Sequence, residues 1–254
     1  EAAITPRTRL ISFCHINYTD GGLMPVKEIC AMARARGVVT LVDGAQPPGM
    51  MKLDMHDLGC DMYAGPCHKW MLASMYTGFL YLREDIIDRV SPYIYTGPTN
   101  GKTMYGDLSP MAADFYKEIL ATASKFEMRM SGNTPARVSL NASLDFHNHL
   151  TRESVEARDR YLARRFMDGL RAIDGVKMYV SPDPRLSCAL VSFTVKDIPP
   201  PMVNNYLWNR NIYIRSVAHS EINWDVNRAS MHVMVRTSQV DNLLDGVETL
   251  AERA

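Results

Sequence analysis

The chain has 254 residues, 46% of them hydrophobic and 22% charged, and its 28 Lys and Arg are balanced by 28 Asp and Glu. That composition suits a globular protein with a sizeable core, and zero net charge gives no electrostatic reason to expect a nucleic-acid or anionic-membrane partner. No apolar run reaches bilayer-spanning length, and the five cysteines lack disulfide-like clustering and metal-ligand spacing, so free thiols, a cytoplasmic setting and no metal are expected. Glu1 is not an initiator, and residues 9–15 (RLISFCH) already read as a buried strand.

Residues 25–36 follow as a helix, with Pro at its start and Val26, Ile29, Cys30 and Ala33 at helical spacing. Gly37 suits a helix stop, and residues 38–42 (VVTLV) are a β-branched run of strand length. Next come Asp43-Gly44-Ala45-Gln46, a short helix, a strand over 60–64, the segment His68-Lys69-Trp70, and a strand over 78–82. Strand–helix–strand alternation predicts a mostly parallel α/β sheet. Residues 91–106 read as an ordered loop whose Tyr93, Tyr95, Met104 and Tyr105 suit either a pocket lining or a buried apolar loop. Residues 137–172 read as one long helix or two abutting ones. Beyond Gly175, short strands (VKMYV, CALVSFTV, NIYIRSV, MHVMVRTS) alternate with helical pieces over 201–209 and 240–253, an α+β layout with a boundary near residue 150.

Asp43 follows an apolar strand, and Lys69 lies 26 positions on, after another strand. In a parallel sheet, strand C-termini converge on one crevice, where ligands bind. A carboxylate and a lysine meeting there suit pyridoxal 5′-phosphate (PLP), the Asp holding the pyridinium nitrogen and the Lys forming a Schiff base. Taken as an isolated pair, a surface Asp and Lys that never meet is the plainer interpretation.

The local motifs add to this. HIN, P-V-K-E-I, VDGAQ (42–46), D-M-Y-A, CHKW (67–70), T-G-F-L-Y, N-T-P, IRSVAHS and VMVRTS stand in the order and spacing of the class V aminotransferases, a family the chain resembles over essentially its whole length. That group of PLP enzymes includes cysteine desulfurases and isopenicillin-N epimerase-like proteins. The resemblance implies the aspartate-aminotransferase-like fold, with residues 1–148 the C-terminal part of a large PLP-binding α/β domain and 149–254 a small α+β domain. It implies cofactor contacts from Asn17 to the phenolic oxygen, Asp43 and Gln46 to the ring, and His68 to the phosphate, with Lys69 as catalytic lysine. Thr134 corresponds to the threonine that reaches a neighbouring subunit's phosphate, implying a homodimer with shared active sites. Asn17 and Thr134 also suit simple turns. Arg236 takes the place of the arginine that grips the substrate α-carboxylate, with Arg215 a second cation that suits a structural ion pair equally well.

The departures narrow the function. The desulfurases' sulfur-accepting cysteine has no counterpart in residues 216–220 (SVAHS), and Pro66 replaces a phosphate-side serine three positions before the lysine. Cys67, next to the lysine, suits a small packed apolar group. The ring-stacking aromatic and the first phosphate-binding turn lie, in this family, upstream of the equivalent of residue 1, so the chain reads as the larger part of a longer polypeptide. The expected activity is α-deprotonation of an amino acid or amino-acid thioether by an isopenicillin-N epimerase-like enzyme, with C–S lyase chemistry slightly ahead of epimerisation or racemisation, and transamination a further alternative. A non-catalytic scaffold is the rival from another class, and retention of Asp43, His68, Lys69 and Arg236 together speaks against it.

Overall fold

The computed structural model describes residues 2–92, 102–103, 106–127 and 134–253. Strand β1 (Leu10–Cys14) leads through helix α1 (Val26–Arg34) into β2 (Val39–Asp43), and short helix α2 (Met55–Leu58) precedes β3 (Met62–Pro66). These three strands are parallel, and β4 (Gly78–Leu82) closes the sheet antiparallel to β3. The sheet is therefore mostly parallel, as the alternating pattern predicts. Helix α1 buries Val26, Cys30 and Ala33, an i, i+4, i+7 stripe. Val26 and Cys30 join Val42, Cys60 and Tyr63 in one small core.

Beyond a 3-10 turn at Glu84–Arg89 lie the two-residue strands β5 (Lys102–Thr103) and β6 (Gly106–Asp107) and helix α3 (Pro110–Leu120). No sequence expectation covers α3, although the Ser109 hydroxyl caps Ala112 N and Pro110 opens its first turn. Tyr93, Tyr95, Met104 and Tyr105 lie outside the described residues.

The long helical stretch resolves into two helices, α4 (Thr134–Leu150) and α5 (Arg152–Arg171). The break is Thr151, whose φ of 65° ends one helix while its hydroxyl accepts Ser154 N to start the next. Leu162, Phe166 and Leu170 of α5 pack on the second sheet, whose order is β7 (Val176–Met178), β8 (Leu190–Val195), β10 (Trp224–Ser230), β9 (Arg215–His219), all antiparallel. Helices α6 (Pro200–Trp208) and α7 (Thr237–Ala251) cover it. The main core also takes in Ile16, Met50 and Trp70 from the first sheet's loops, so the two layers share packing across the crevice between them.

One expected strand is corrected. Of residues 231–238 (MHVMVRTS), 231–236 form a turn leading into α7, which starts at Thr237, because the His232 ring accepts Met234 N and its carbonyl accepts Val235 N. The strand is β10 just before it, disguised in the sequence by Asp225, Asn227, Arg228 and Ser230.

Candidate functional site

The register sets the site. Cys14 pairs with Asp43 and Asp43 with Ala64, so three strand ends lie level and their loops, 15–18, 44–46 and 67–70, spring from one edge. The Asp43 carboxylate accepts Ala45 N at 2.8 Å, and its carbonyl accepts His15 N at 2.9 Å. A Cβ at Gly44 would stand 1.9 Å from Tyr63 Cε1, so only glycine lets the turn lie on that buried ring. Tyr63 Oη in turn meets His15 Nδ1 at 3.0 Å, and burial depresses the His15 imidazole to about 4, keeping it neutral.

Between this edge and β9–β10 lies a cavity of about 660 Å³ lined by Tyr18, Asp43, Gln46, Lys69, Trp70, Arg215, Arg228 and His232, among others. Lys69 sits in a turn where Cys67 N donates to Thr77 O and Leu72 N to Lys69 O. Desolvation pulls the lysine pKa below its ordinary value, opposed by Asp43 and reinforced by Arg228, although much of the side chain's area is open. Trp70 Nε1 donates to Gln46 Oε1 at 3.0 Å, and its ring stacks on His232 with centroids 5.2 Å apart. Since His232 Nδ1 accepts Met234 N, its Nε2 donates to Trp70 O at 3.2 Å, the neutral tautomer. Burial lowers the His232 pKa in agreement.

The opposite wall is the β9–β10 ladder, where Arg228 stands directly across from Arg215. Arg228 Nη1 donates to Tyr18 O at 2.8 Å, while its buried Nε has no partner among the described residues. Burial, then the neighbouring Arg215, depresses the Arg228 pKa. Tyr18 Oη lies 2.6 Å from His219 Nε2, and His219 Nδ1 lies 3.0 Å from Glu221 Oε1, tying the loop after β1 to the hairpin.

Of the residues singled out in the sequence, Asp43, Gln46, Lys69 and Arg215 come together in this cavity. Asn17, His68, Thr134 and Arg236 are not among its lining. The Asn17 carboxamide accepts the Thr19 hydroxyl within its own turn, at 2.9 Å. His68 lies half-buried beside Lys69, with Nδ1 buried and unpartnered among the described residues. Thr134 is exposed at the start of α4. Arg236 precedes α7, where its N–H donates to Gln239 Oε1, and it borders a different cavity with Tyr213 and Ile214. The turn at residues 231–236 carries it away, and Arg228 stands by Lys69 instead. Arg228, Tyr18 and His232 were missed. The available signal was the alternation in Trp224–Ser230, with Val226 inward and Arg228 two positions on.

The donor set fits PLP: a carboxylate for a ring nitrogen, a lysine with a lowered pKa, and a buried, unpartnered His68 Nδ1 beside it for an anionic group. Among the described residues, no cluster of His, Cys, Asp and Glu suits a metal ion and no helix is long and apolar enough to cross a membrane.

Residues 1–243 match the family model described as aminotransferase class-V. The chain is 30% identical over 257 residues to an isopenicillin N epimerase of Streptomyces clavuligerus, covering 98% of this chain and 62% of that protein. It is 28% identical over 262 residues to a probable cysteine desulfurase of Halalkalibacterium halodurans, covering 99% and 60%. A solved lysine-to-alanine mutant of C-DES, with glycine covalently linked to its PLP cofactor, superimposes with a TM-score of 0.82 at 25% identity, over 97% of this chain and 62% of that one. The chain thus spans about three fifths of the length of each.

Proposed function

The chain belongs to the class V aminotransferase family, and from that premise we propose that the whole protein is a PLP-dependent enzyme acting on an amino acid or amino-acid thioether. The observation that carries the reading is the convergence of Asp43 and Lys69, 26 residues apart, on one cavity in which the carboxylate biases the lysine pKa. PLP, when bound, supplies an electron sink for the substrate Cα. Lys69 would anchor it covalently, Asp43 would keep a proton on its ring nitrogen, and Gln46 and His68 would contact ring and phosphate.

Lys69, its pKa already lowered, is suited to take the α-proton, because a base works best near the operating pH. Arg228, with a guanidinium half out of water, is the group to orient the substrate α-carboxylate, in place of Arg236. The Trp70–His232 stack closes one side against water. Thr134, exposed at the start of α4, remains available to a second subunit, in line with a homodimer.

C–S lyase chemistry is the favoured outcome after α-deprotonation, supported by the cysteine desulfurase relative; the absence of a sulfur-accepting cysteine in 216–220 argues only against a persulfide-forming desulfurase. Epimerisation is the second reading, favoured by the 30% identity to an isopenicillin N epimerase. Release of ammonia and a keto acid marks the first, and inversion at Cα with uptake of solvent deuterium the second. The founding test is borohydride reduction of the full-length, PLP-loaded protein followed by peptide mapping. The pyridoxyl group is expected on Lys69, and a label on another lysine overturns the assignment. Lys69→Ala should keep only weak, non-covalent PLP and lose turnover by about 10²–10⁴-fold or more.

A further inference from the structure

Arg215 and Arg228 face each other as directly paired residues of β9 and β10, and both line the cavity that holds Lys69. Directly opposed like charges destabilise a ladder. Here the repulsion reaches the site, since Arg215 helps depress the Arg228 pKa. Neither guanidinium has an ion pair among the described residues, and Glu221, six residues beyond Arg215, is engaged by His219. Arg228 spends one N–H on the Tyr18 carbonyl and keeps its buried Nε unpartnered.

Counting charge around the cavity decides what is missing. Its described lining carries three cations, Lys69, Arg215 and Arg228, against one carboxylate, Asp43. Asp43 and Lys69 are committed to the cofactor in the reading above, on which this step rests. Two adjacent guanidinium groups then remain, and one α-carboxylate satisfies one of them. We infer that the substrate carries a second anionic group: Arg228 takes the α-carboxylate and Arg215 takes a side-chain carboxylate or an equivalent anion. Arg215, open to solvent at the cavity's rim, suits the distal end of such a side chain. It is a specificity residue, not part of the proton-transfer machinery.

The test is calorimetric binding of L-alanine, L-aspartate and L-glutamate to the full-length PLP-loaded protein, at low and at high salt. At least one dicarboxylic amino acid should bind about tenfold or more tightly than L-alanine, as a charge-assisted contact implies. The preference should shrink at high salt. In Arg215→Gln the ratio should fall to near one, and Arg215→Lys should restore part of it. Equal binding of all three ligands by the wild type, or an undiminished preference in Arg215→Gln, overturns the inference. Borohydride labelling of Lys69 separates the two levels: a labelled Lys69 without selectivity sinks the dianion alone. An unlabelled Lys69 sinks the cofactor reading, and the binding ratio still decides whether the arginine pair selects dianions.

Discussion

The two walls of the crevice are built differently. On the parallel-sheet side, the turns that carry the functional groups are tied down by hydrogen bonds and close packing. Asp43 is tied to Ala45 and His15, Gly44 lies on the Tyr63 ring, and Trp70 is fixed by Gln46. On the antiparallel side, two arginines stand opposed without counter-ions among the described residues, held by one contact to Tyr18. The first wall is preorganised for a fixed group, whereas the second stores unfavourable charge that an incoming anion relieves. A site that keeps one ligand and exchanges another needs that division.

The sharpest way to break the contrast is Asp43→Asn. The amide retains the shape of the turn but cannot hold a proton on a ring nitrogen. Turnover of the full-length enzyme should fall by roughly 10²–10³, about 3–4 kcal/mol, with the fold intact by circular dichroism. Near wild-type turnover would remove Asp43 from its role.

Acid and base should also act on the two sides in opposite directions. His15 backs the rigid wall, and its pKa falls to about 4 on folding. The unfolded chain therefore binds more protons between pH 6.5 and 4, and this contribution, present above pH 6.5, is lost as pH falls through that window. At about 1.4 kcal/mol per unit it is worth up to about 3 kcal/mol. Asp159 of α5 is the reverse: burial without a hydrogen-bond partner among the described residues raises it to about 8. Its protonated form suits the fold, so stability is greatest below pH 4 and is lost as pH rises towards 8. Urea titrations should show His15→Gln losing less stability than wild type on acidification, and Asp159→Asn losing less on alkalinisation. Parallel pH curves for variants and wild type would dissociate both groups from the effect.

The smallest effect tests the second wall. Arg228→Ala should raise the Michaelis constant for amino acids by about 2 kcal/mol, some thirtyfold. Arg236→Ala should leave it within about twofold, since that residue borders another cavity. The opposite outcome would restore Arg236 as the carboxylate ligand.

The same contrast explains what could be foreseen. The ends of β1, β2 and β3 are announced by apolar runs such as VVTLV, so the positions of Asp43, Gln46 and Lys69 follow from strand–helix alternation. Strand β10 has no such run: Asp225 is exposed, Arg228 lines the crevice, and the buried Asn227 donates to Pro200 O. The apolar MHVMV beside it then attracts the strand assignment, and the arginine assignment moves eight residues with it. Asn17, expected as a cofactor contact, accepts the Thr19 hydroxyl through its Oδ1, a local hydrogen bond that spacing cannot reveal. Helix α3 escaped for lack of a buried stripe, since none of its residues is buried.

Trp70 gives the crevice an optical readout. Of the three tryptophans it alone is deeply buried, at 5% exposure, and it lines the cavity itself, whereas Trp208 is 58% exposed. Its indole is held at both ends, stacked on His232 and bonded to Gln46. Arrival of a chromophore absorbing in the near ultraviolet would drain emission from this one fluorophore while Trp208 continued to report the outer surface. Occupancy of the site is thus written into the protein's own fluorescence, without a label.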